Sequence, residues 1–339
     1  MIKDRILSTL KFFDLQDYPV TLLELHQFLL DDLQVLRTRI NTSWELIDNN
    51  NNDNNKISID KVLKCMETEC QNEVRQKNGF YCLIGRLAII DQRLSNYFYG
   101  IKRERRIRRF ARGLKFLPFV RGAALAGSQA MGQQKETSDI DLLIILDPKF
   151  LWLGRTLVTA YFQVLGIRRH GKKISNRFCL NHYLAGIKSI MELRNLYTAW
   201  EYMKLRSLVY PQTIANFQIQ NRDWIAEFFP NFRIQPLYPS AALGTSPLTS
   251  STSLGVTLSI AERVKRGEGL RRHTDEQSSV QSFLERMLSG NFGVWLEAKL
   301  KNWQLPKIRR EEFILVLDDE LSFHPQSKQQ ELLARFFAL

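Results

Sequence analysis

The sequence is poor in residues that cross-link or anchor a chain. Its 339 residues include four cysteines, Cys65, Cys70, Cys82 and Cys179. None forms a CxxC pair, which argues against a zinc ribbon or a disulfide framework. Long apolar runs are missing as well. The most apolar stretch, "FLWLGRTLVTAYFQVLGI" (150–167), contains Arg155 and is marginal in length for a bilayer. It reads as a buried helix. The first residues, "MIKDRILSTLKFFD", mix charge with apolar positions and show no signal-peptide core. A soluble, cytoplasmic protein with no membrane span is expected. Acidic residues are the minority charge: 35 Asp and Glu stand against 48 Lys and Arg, a formal charge of +13. That balance favours a polyanionic partner, such as nucleic acid, nucleotide or an anionic surface, without choosing among them. No internal repeat is evident.

What is present reads as several units. Residues 2–14 place Ile2, Ile6, Leu7, Leu10 and Phe13 on one helical face. "DYP" (17–19) stops that helix, because the residue before a proline avoids the α region. Thr21 with Glu24 three positions on predicts a capping box and a second helix from about Leu22 to Leu36. "DNNNNDNN" (48–55) is a polar loop, and "SIDKVLKCMETEC" (58–70) predicts a third helix. "EVRQ", "KNG" and "FYCLIG" then predict a β-hairpin turning at Asn78-Gly79. Three helices and a hairpin are the layout of a winged helix, assigned to residues 1–90. Its third helix carries Glu67 and Glu69 beside Lys61 and Lys64, so DNA contact and packing against the rest of the protein both stay open.

Residues 91–118 read as a basic amphipathic helix. Eight Lys or Arg and one Glu fall between 102 and 115, and Ile107, Phe110, Ala111 and Leu114 share a face. The basic face is either a solvated surface or a phosphate contact, with membrane association a minor third reading. A second basic stretch, "GIRRHGKKISNR" (166–177), carries the same two readings. Residues 236–279 are rich in Ser, Thr and Gly and read as a flexible linker. Residues 280–339 read as a helical C-terminal segment.

The chemistry concentrates in "GSQAMGQQKETSDIDLLIIL" (127–146). "FVRGAALAG" (119–127) is a buried strand that ends at Gly127-Ser128. Gly127 has no Cβ, so backbone amides can approach an oxyanion, and Ser128 adds a hydroxyl. A short helix is expected next, and then a second strand opening with Asp139 and Asp141. At i and i+2 the two carboxylates project from one face, with Cα atoms roughly 6–7 Å apart. Two ionised carboxylates so close favour a shared divalent cation, and hard oxygen ligands suit Mg2+. A phosphate cradle beside a metal pair serves nucleotidyl transfer.

The apolar strand, Gly127-Ser128, ten residues, then Asp139-Ile140-Asp141 and an apolar run resemble the DNA polymerase beta-like nucleotidyltransferase superfamily. The whole chain also resembles a group of bacterial proteins in which a winged helix precedes a minimal nucleotidyltransferase domain. "FDLQDYPVT" (13–21), "GFYCLIGR" (79–86), "PFVRG" (118–122), "FCLNHYL" (178–184), "NLYTAWE" (195–201) and "FFPNF" (228–232) carry that likeness. The resemblance implies an α+β fold with a mixed sheet flanked by helices over 119–235. It implies an NTP substrate, with ATP the expected donor, and Mg2+. It also implies that Gly127 and Ser128 hold phosphate while Asp139 and Asp141 hold metal.

One departure stands out. Active members of the superfamily usually carry a third carboxylate on a later strand, yet residues 148–191 contain no Asp or Glu. "RFCLNHYLAG" offers Asn181, a neutral ligand or orienter, and His182, which reads mainly as a strand histidine with its own partner. Glu192 and Glu201 are the nearest later carboxylates. Two functions follow. One is a magnesium-dependent nucleotidyltransferase acting on a hydroxyl of a protein, RNA or small molecule, with Asp139, Asp141 and Asn181 as catalytic residues. The other is a non-catalytic nucleic-acid-binding regulator on a degenerate nucleotidyltransferase fold.

Overall fold

The computed structural model describes residues 1–41, 55–186, 191, 193–233, 277–309, 315–323 and 326–338. The polar loop expected at 48–55 lies almost wholly outside these residues, as does most of the expected linker, 236–276, and Glu192.

The N-terminal residues form α1 (Ile2–Asp14), β1 (Val20–Thr21), α2 (Leu22–Gln27), α3 (Leu33–Asn41), α4 (Ile59–Thr68), β2 (Val74–Lys77) and β3 (Phe80–Leu83). The strands make an antiparallel sheet of order β1-β3-β2. Thr21 and Glu24 form the expected capping box. Asn78 and Gly79 both take positive φ, 54° and 79°, which a two-residue hairpin turn of matching twist requires. The helix expected over 22–36 is instead broken in two. Phe28, Leu29 and Leu30 are all buried, and three consecutive residues cannot share one helical face. The intervening backbone bonds to tertiary partners, Leu30 N to Thr9 Oγ1 and Asp31 N to Phe228 O.

This unit has no separate core. Phe12, Phe13 and Tyr18 pack edge-on around Trp200, and Phe28 meets Phe229. Asn231 bridges His26 and Ile57 by hydrogen bonds. A buried ionic cluster adds a second tie: Glu24 accepts from Arg93 at 2.7 Å, from Lys204 at 3.2 Å and from Tyr18 at 2.7 Å.

α5 (Ala88–Ala111) begins before the basic run and passes into a 3-10 turn, Arg112–Phe116. The central sheet follows. β4 (Val120–Leu125), α6 (Gly127–Met131), β5 (Ile140–Leu146), α7 (Leu151–Val164), β6 (Phe178–Ala185), α8 (Leu196–Met203), β7 (Arg206–Val209), α9 (Pro211–Gln220) and α10 (Arg222–Phe228) come in that order. β4 runs antiparallel to β5 and β7, while β5 and β6 are parallel across α7, so the sheet is mixed. All seven residues of β5 are buried. Leu143 and Ile145 feed the core shared with the N-terminal unit, and Ile140, Leu142, Ile144 and Leu146 feed the core under α7. A continuous apolar strand is what burial on both faces demands. No described helix is long and apolar enough to cross a membrane, α7 included.

The C-terminal segment departs from the all-helical expectation. Besides α11 (Ser279–Leu288), α12 (Asn291–Ile308) and α13 (Gln326–Phe337) it supplies β8 (Leu315–Val316) and β9 (Glu320–Ser322). These extend the central sheet to the order β7-β4-β5-β6-β9-β8. Strands of two and three residues are too short to leave a periodic signal. α11 starts at Ser279 with Ser278 as its N-cap, so the expected linker does not reach 279. Glu285 on α11 binds Arg121 and the Phe119 amide, and Glu297 on α12 accepts from Trp152 N and Leu153 N at the head of α7. The C-terminal helices therefore brace the sheet rather than form a unit of their own.

Candidate active site

β4 leads into the site and β5 leads out of it. Because the strands are antiparallel, the end of β4 meets the start of β5, and Ala126 N donates to Asp141 O at 3.0 Å. The chain then turns sharply at Gly127, with φ of 56°. A Cβ placed there would lie 2.5 Å from Asp141 Oδ2. Glycine is needed twice over, for the left-handed backbone and for the space that the Asp141 carboxylate fills. Ser128 follows on α6, half-buried, and α6 closes at Gly132, also left-handed at 72°.

Asp139 lies one residue ahead of β5 and Asp141 within it. The loop before them is held from below by α5. Arg103 is buried and donates to Glu136 O at 2.8 Å and Ser138 O at 3.2 Å. Arg106 donates to Asn176 O at 2.8 Å, and Arg108 pairs with Glu104. Part of the basic run is thus structural. Lys102, Arg105, Arg109 and Arg112 form its exposed face.

β6 completes the site. Cys179 stands opposite Asp141 in the parallel register, and Asn181 donates Nδ2 to Asp141 Oδ1 at 2.9 Å. Donor atoms of Asp139, Asp141 and Cys179 lie within 4.8 Å of one another. Burial pushes the Cys179 thiol up to about 12, and the charges of Asp141 and Asp139 act in the same direction. A neutral thiol is a weak ligand for a hard cation, so the two carboxylates dominate the donor set. Arg169, from the basic 166–177 stretch, donates through Nη1 to Asp139 Oδ2.

α8 covers the Asp141 side. Burial raises the Tyr197 phenol, and the charges of Glu201 and Asp141 raise it further. Glu201 is buried on the same helix, one turn on. His182 is turned to a buried partner, Glu320 on β9, at 3.2 Å. The structure therefore brings together Gly127, Asp139, Asp141 and Asn181, with Ser128 alongside, and directs His182 elsewhere. Sequence reasoning gave Cys179 and Tyr197 no place in the site, and it named Arg169 only as one of several basic residues of the 166–177 stretch. Cys179 was findable in principle, being two residues before Asn181 on one strand, but only with the β5–β6 register in hand.

Gly127 lies against the Asp141 carboxylate, and Asp139 converges on Asp141 from two residues earlier. Residues 107–178 match the nucleotidyltransferase domain family. No curated protein and no solved structure matches the chain. The nucleotidyltransferase match takes in Gly127, Ser128, Asp139, Asp141 and Arg169. It ends at Phe178, the first residue of β6, so Cys179 and Asn181 lie just beyond it. The residues fit the divalent cation that nucleotidyltransferases usually employ: two convergent carboxylates supply hard oxygens, and the missing Gly127 side chain leaves room for one of them.

Proposed function

We propose that the protein is a cytoplasmic, magnesium-dependent nucleotidyltransferase. It moves an NMP group from an NTP, ATP being the expected donor, to a hydroxyl of a protein, RNA or small-molecule acceptor. The observation that carries this reading is that Asp141 lies against Gly127 and converges with Asp139, inside the segment that matches a nucleotidyltransferase domain. Asp139 and Asp141 would hold Mg2+, which supplies neutralisation of the charge on the triphosphate and on the transferred group. Gly127 and Ser128 would receive phosphate oxygens.

In the transfer, the acceptor oxygen bonds to the α-phosphorus, the α–β anhydride breaks, and pyrophosphate leaves. The hydroxyl proton passes to solvent or to a carboxylate. Phosphoryl transfer has a loose transition state and depends more on positioning than on a strong base. Asn181 suits that demand: its Nδ2–H fixes the Asp141 carboxylate at 2.9 Å while adding no charge. The N-terminal unit is read as a winged helix, a reading that its helices and three-stranded β1-β3-β2 sheet support. The exposed residues of α4, Asp60, Lys61, Lys64 and Glu67, mix both signs, which suits a brace or protein-docking role better than a DNA reader.

The test is incubation with α-labelled ATP and Mg2+, following label onto the protein or onto added RNA. Asp141→Ala abolishes Mg2+-dependent nucleotide binding in a folded protein. Asn181→Asp raises turnover and Asn181→Ala lowers it. Unchanged nucleotide affinity in folded Asp141→Ala would sink the site. The second reading, a non-catalytic nucleic-acid-binding regulator, is favoured by one observation: Cys179 and Asn181, not a carboxylate, face Asp141 from β6. Binding of nucleotide without transfer to any acceptor would select it.

A further inference from the structure

Arg169 occupies the place in the site where a cation belongs. Its backbone N–H donates to Phe178 O at 2.9 Å, which fixes its Cα beside the first residue of β6. Its side chain then crosses to the carboxylates. Nη1 donates to Asp139 Oδ2, and the same nitrogen reaches Cys179 Sγ at 3.5 Å. One cationic nitrogen therefore touches two of the three side chains whose donor atoms converge within 4.8 Å. The side chain is 42% exposed, so the guanidinium has solvent to move into while the backbone stays put.

We propose that Arg169 is a stand-in cation: its guanidinium holds Asp139 in the metal-free protein, and transfers to the triphosphate when metal and nucleotide bind. This rests on the nucleotidyltransferase reading above. A divalent ion and a guanidinium repel one another at such a separation, so both cannot keep Asp139 Oδ2. The displaced group remains charged, and its planar fork matches phosphate oxygens. The neighbouring Lys172 and Lys173 are exposed on the same turn and attract the same anion. Two effects of opposite sign follow. Without Arg169 the metal meets no competitor and binds more tightly. Without Arg169 the triphosphate loses a partner and binds more weakly. An arginine that merely supported the fold would not move the two affinities in opposite directions.

The experiment uses the full chain with Mn2+, read by the resonance signal of the free ion, and α,β-methylene ATP, read by calorimetry at saturating Mn2+. Arg169→Gln tightens Mn2+ binding about tenfold and weakens binding of the analogue about tenfold, each about 1.4 kcal/mol. Arg169→Lys, which keeps the charge without the fork, falls between. Unchanged or weaker Mn2+ binding in folded Arg169→Gln overturns the proposal, as does unchanged binding of the analogue. Asp141→Asn separates the two levels. If it binds Mn2+ as the wild type does, the metal site itself falls and the Arg169 role with it. If it loses Mn2+ while Arg169→Gln matches the wild type, only the Arg169 role falls.

Discussion

Gly127→Ala is the change whose cost can be worked from the structure in two separable parts. The first is backbone strain. Gly127 holds φ at 56°, and a left-handed residue with a Cβ costs about 1–2 kcal/mol. The second is the collision with Asp141 Oδ2, at 2.5 Å from the new Cβ. The carboxylate must turn, and turning breaks its 2.9 Å hydrogen bond from Asn181. A hydrogen bond to a charged group contributes about 1.5–3 kcal/mol. The sum is about 2.5–5 kcal/mol. Gly132→Ala isolates the first part, because Gly132 also sits left-handed, at 72°, with nothing within 4 Å of its would-be Cβ. It should cost about 1–2 kcal/mol. Urea unfolding of the two variants measures the difference directly, since the entropic effect of Gly→Ala on the unfolded chain is common to both. Mn2+ binding supplies the functional arm: Gly127→Ala loses at least about tenfold in affinity, while Gly132→Ala matches the wild type. Equal stability losses, with Mn2+ binding intact in both, would refute the idea that Gly127 is there to admit Asp141.

Two further outcomes are expected. Burial works to raise the Glu24 carboxyl, but the Arg93 hydrogen bond and the Lys204 charge overcome it and hold the group at about 2, below its ordinary 4.5. A depressed carboxylate stabilises fully above its unfolded pKa and loses that effect as pH falls from about 4.5 through about 2, so Glu24→Gln should cost about 3 kcal/mol at pH 7. Unfolding measured at pH 7 and pH 3 should show the gap between wild type and variant closing, and a gap independent of pH would count against the cluster. On α5, reversing the exposed Arg105, Arg109 and Arg112 to glutamate should flatten the salt dependence of RNA binding, by about 0.7 in log–log slope for each phosphate no longer neutralised. An unchanged slope would make that face a solvated surface.

The parts of the fold legible in the sequence were those set by neighbours close along the chain. The Thr21–Glu24 capping box and the Asn78-Gly79 hairpin each depend on residues a few positions apart and stand where the pattern put them, while the strand expected to end at Gly127 stops two residues earlier, at Leu125, and the strand expected to open at Asp139 begins at Ile140. The break between α2 and α3 did not show, because the partners that hold it, Thr9 and Phe228, come from distant chain. β8 and β9 did not show either, since an edge of two or three residues takes its identity from the strand beside it.

The far wall of the site was illegible for a sharper reason. Which β6 side chain meets Asp141 depends on register across a crossover that includes the whole of α7, and the register is irregular at the decisive point. Asp141 pairs with Cys179 and Leu143 with His182, so two residues on β5 match three on β6. Strict alternation would put Cys179 and Asn181 on one face and His182 on the other. Asn181 reaches Asp141, and His182 meets Glu320 of β9. A neutral amide, a thiol whose burial pushes its pKa up, and an arginine therefore lie against the carboxylate pair. Such a wall supplies less negative charge than a carboxylate would. On the proposed nucleotidyltransferase reading, a cation held there would bind less tightly before nucleotide arrives, and its binding would depend more strongly on the triphosphate that comes with it.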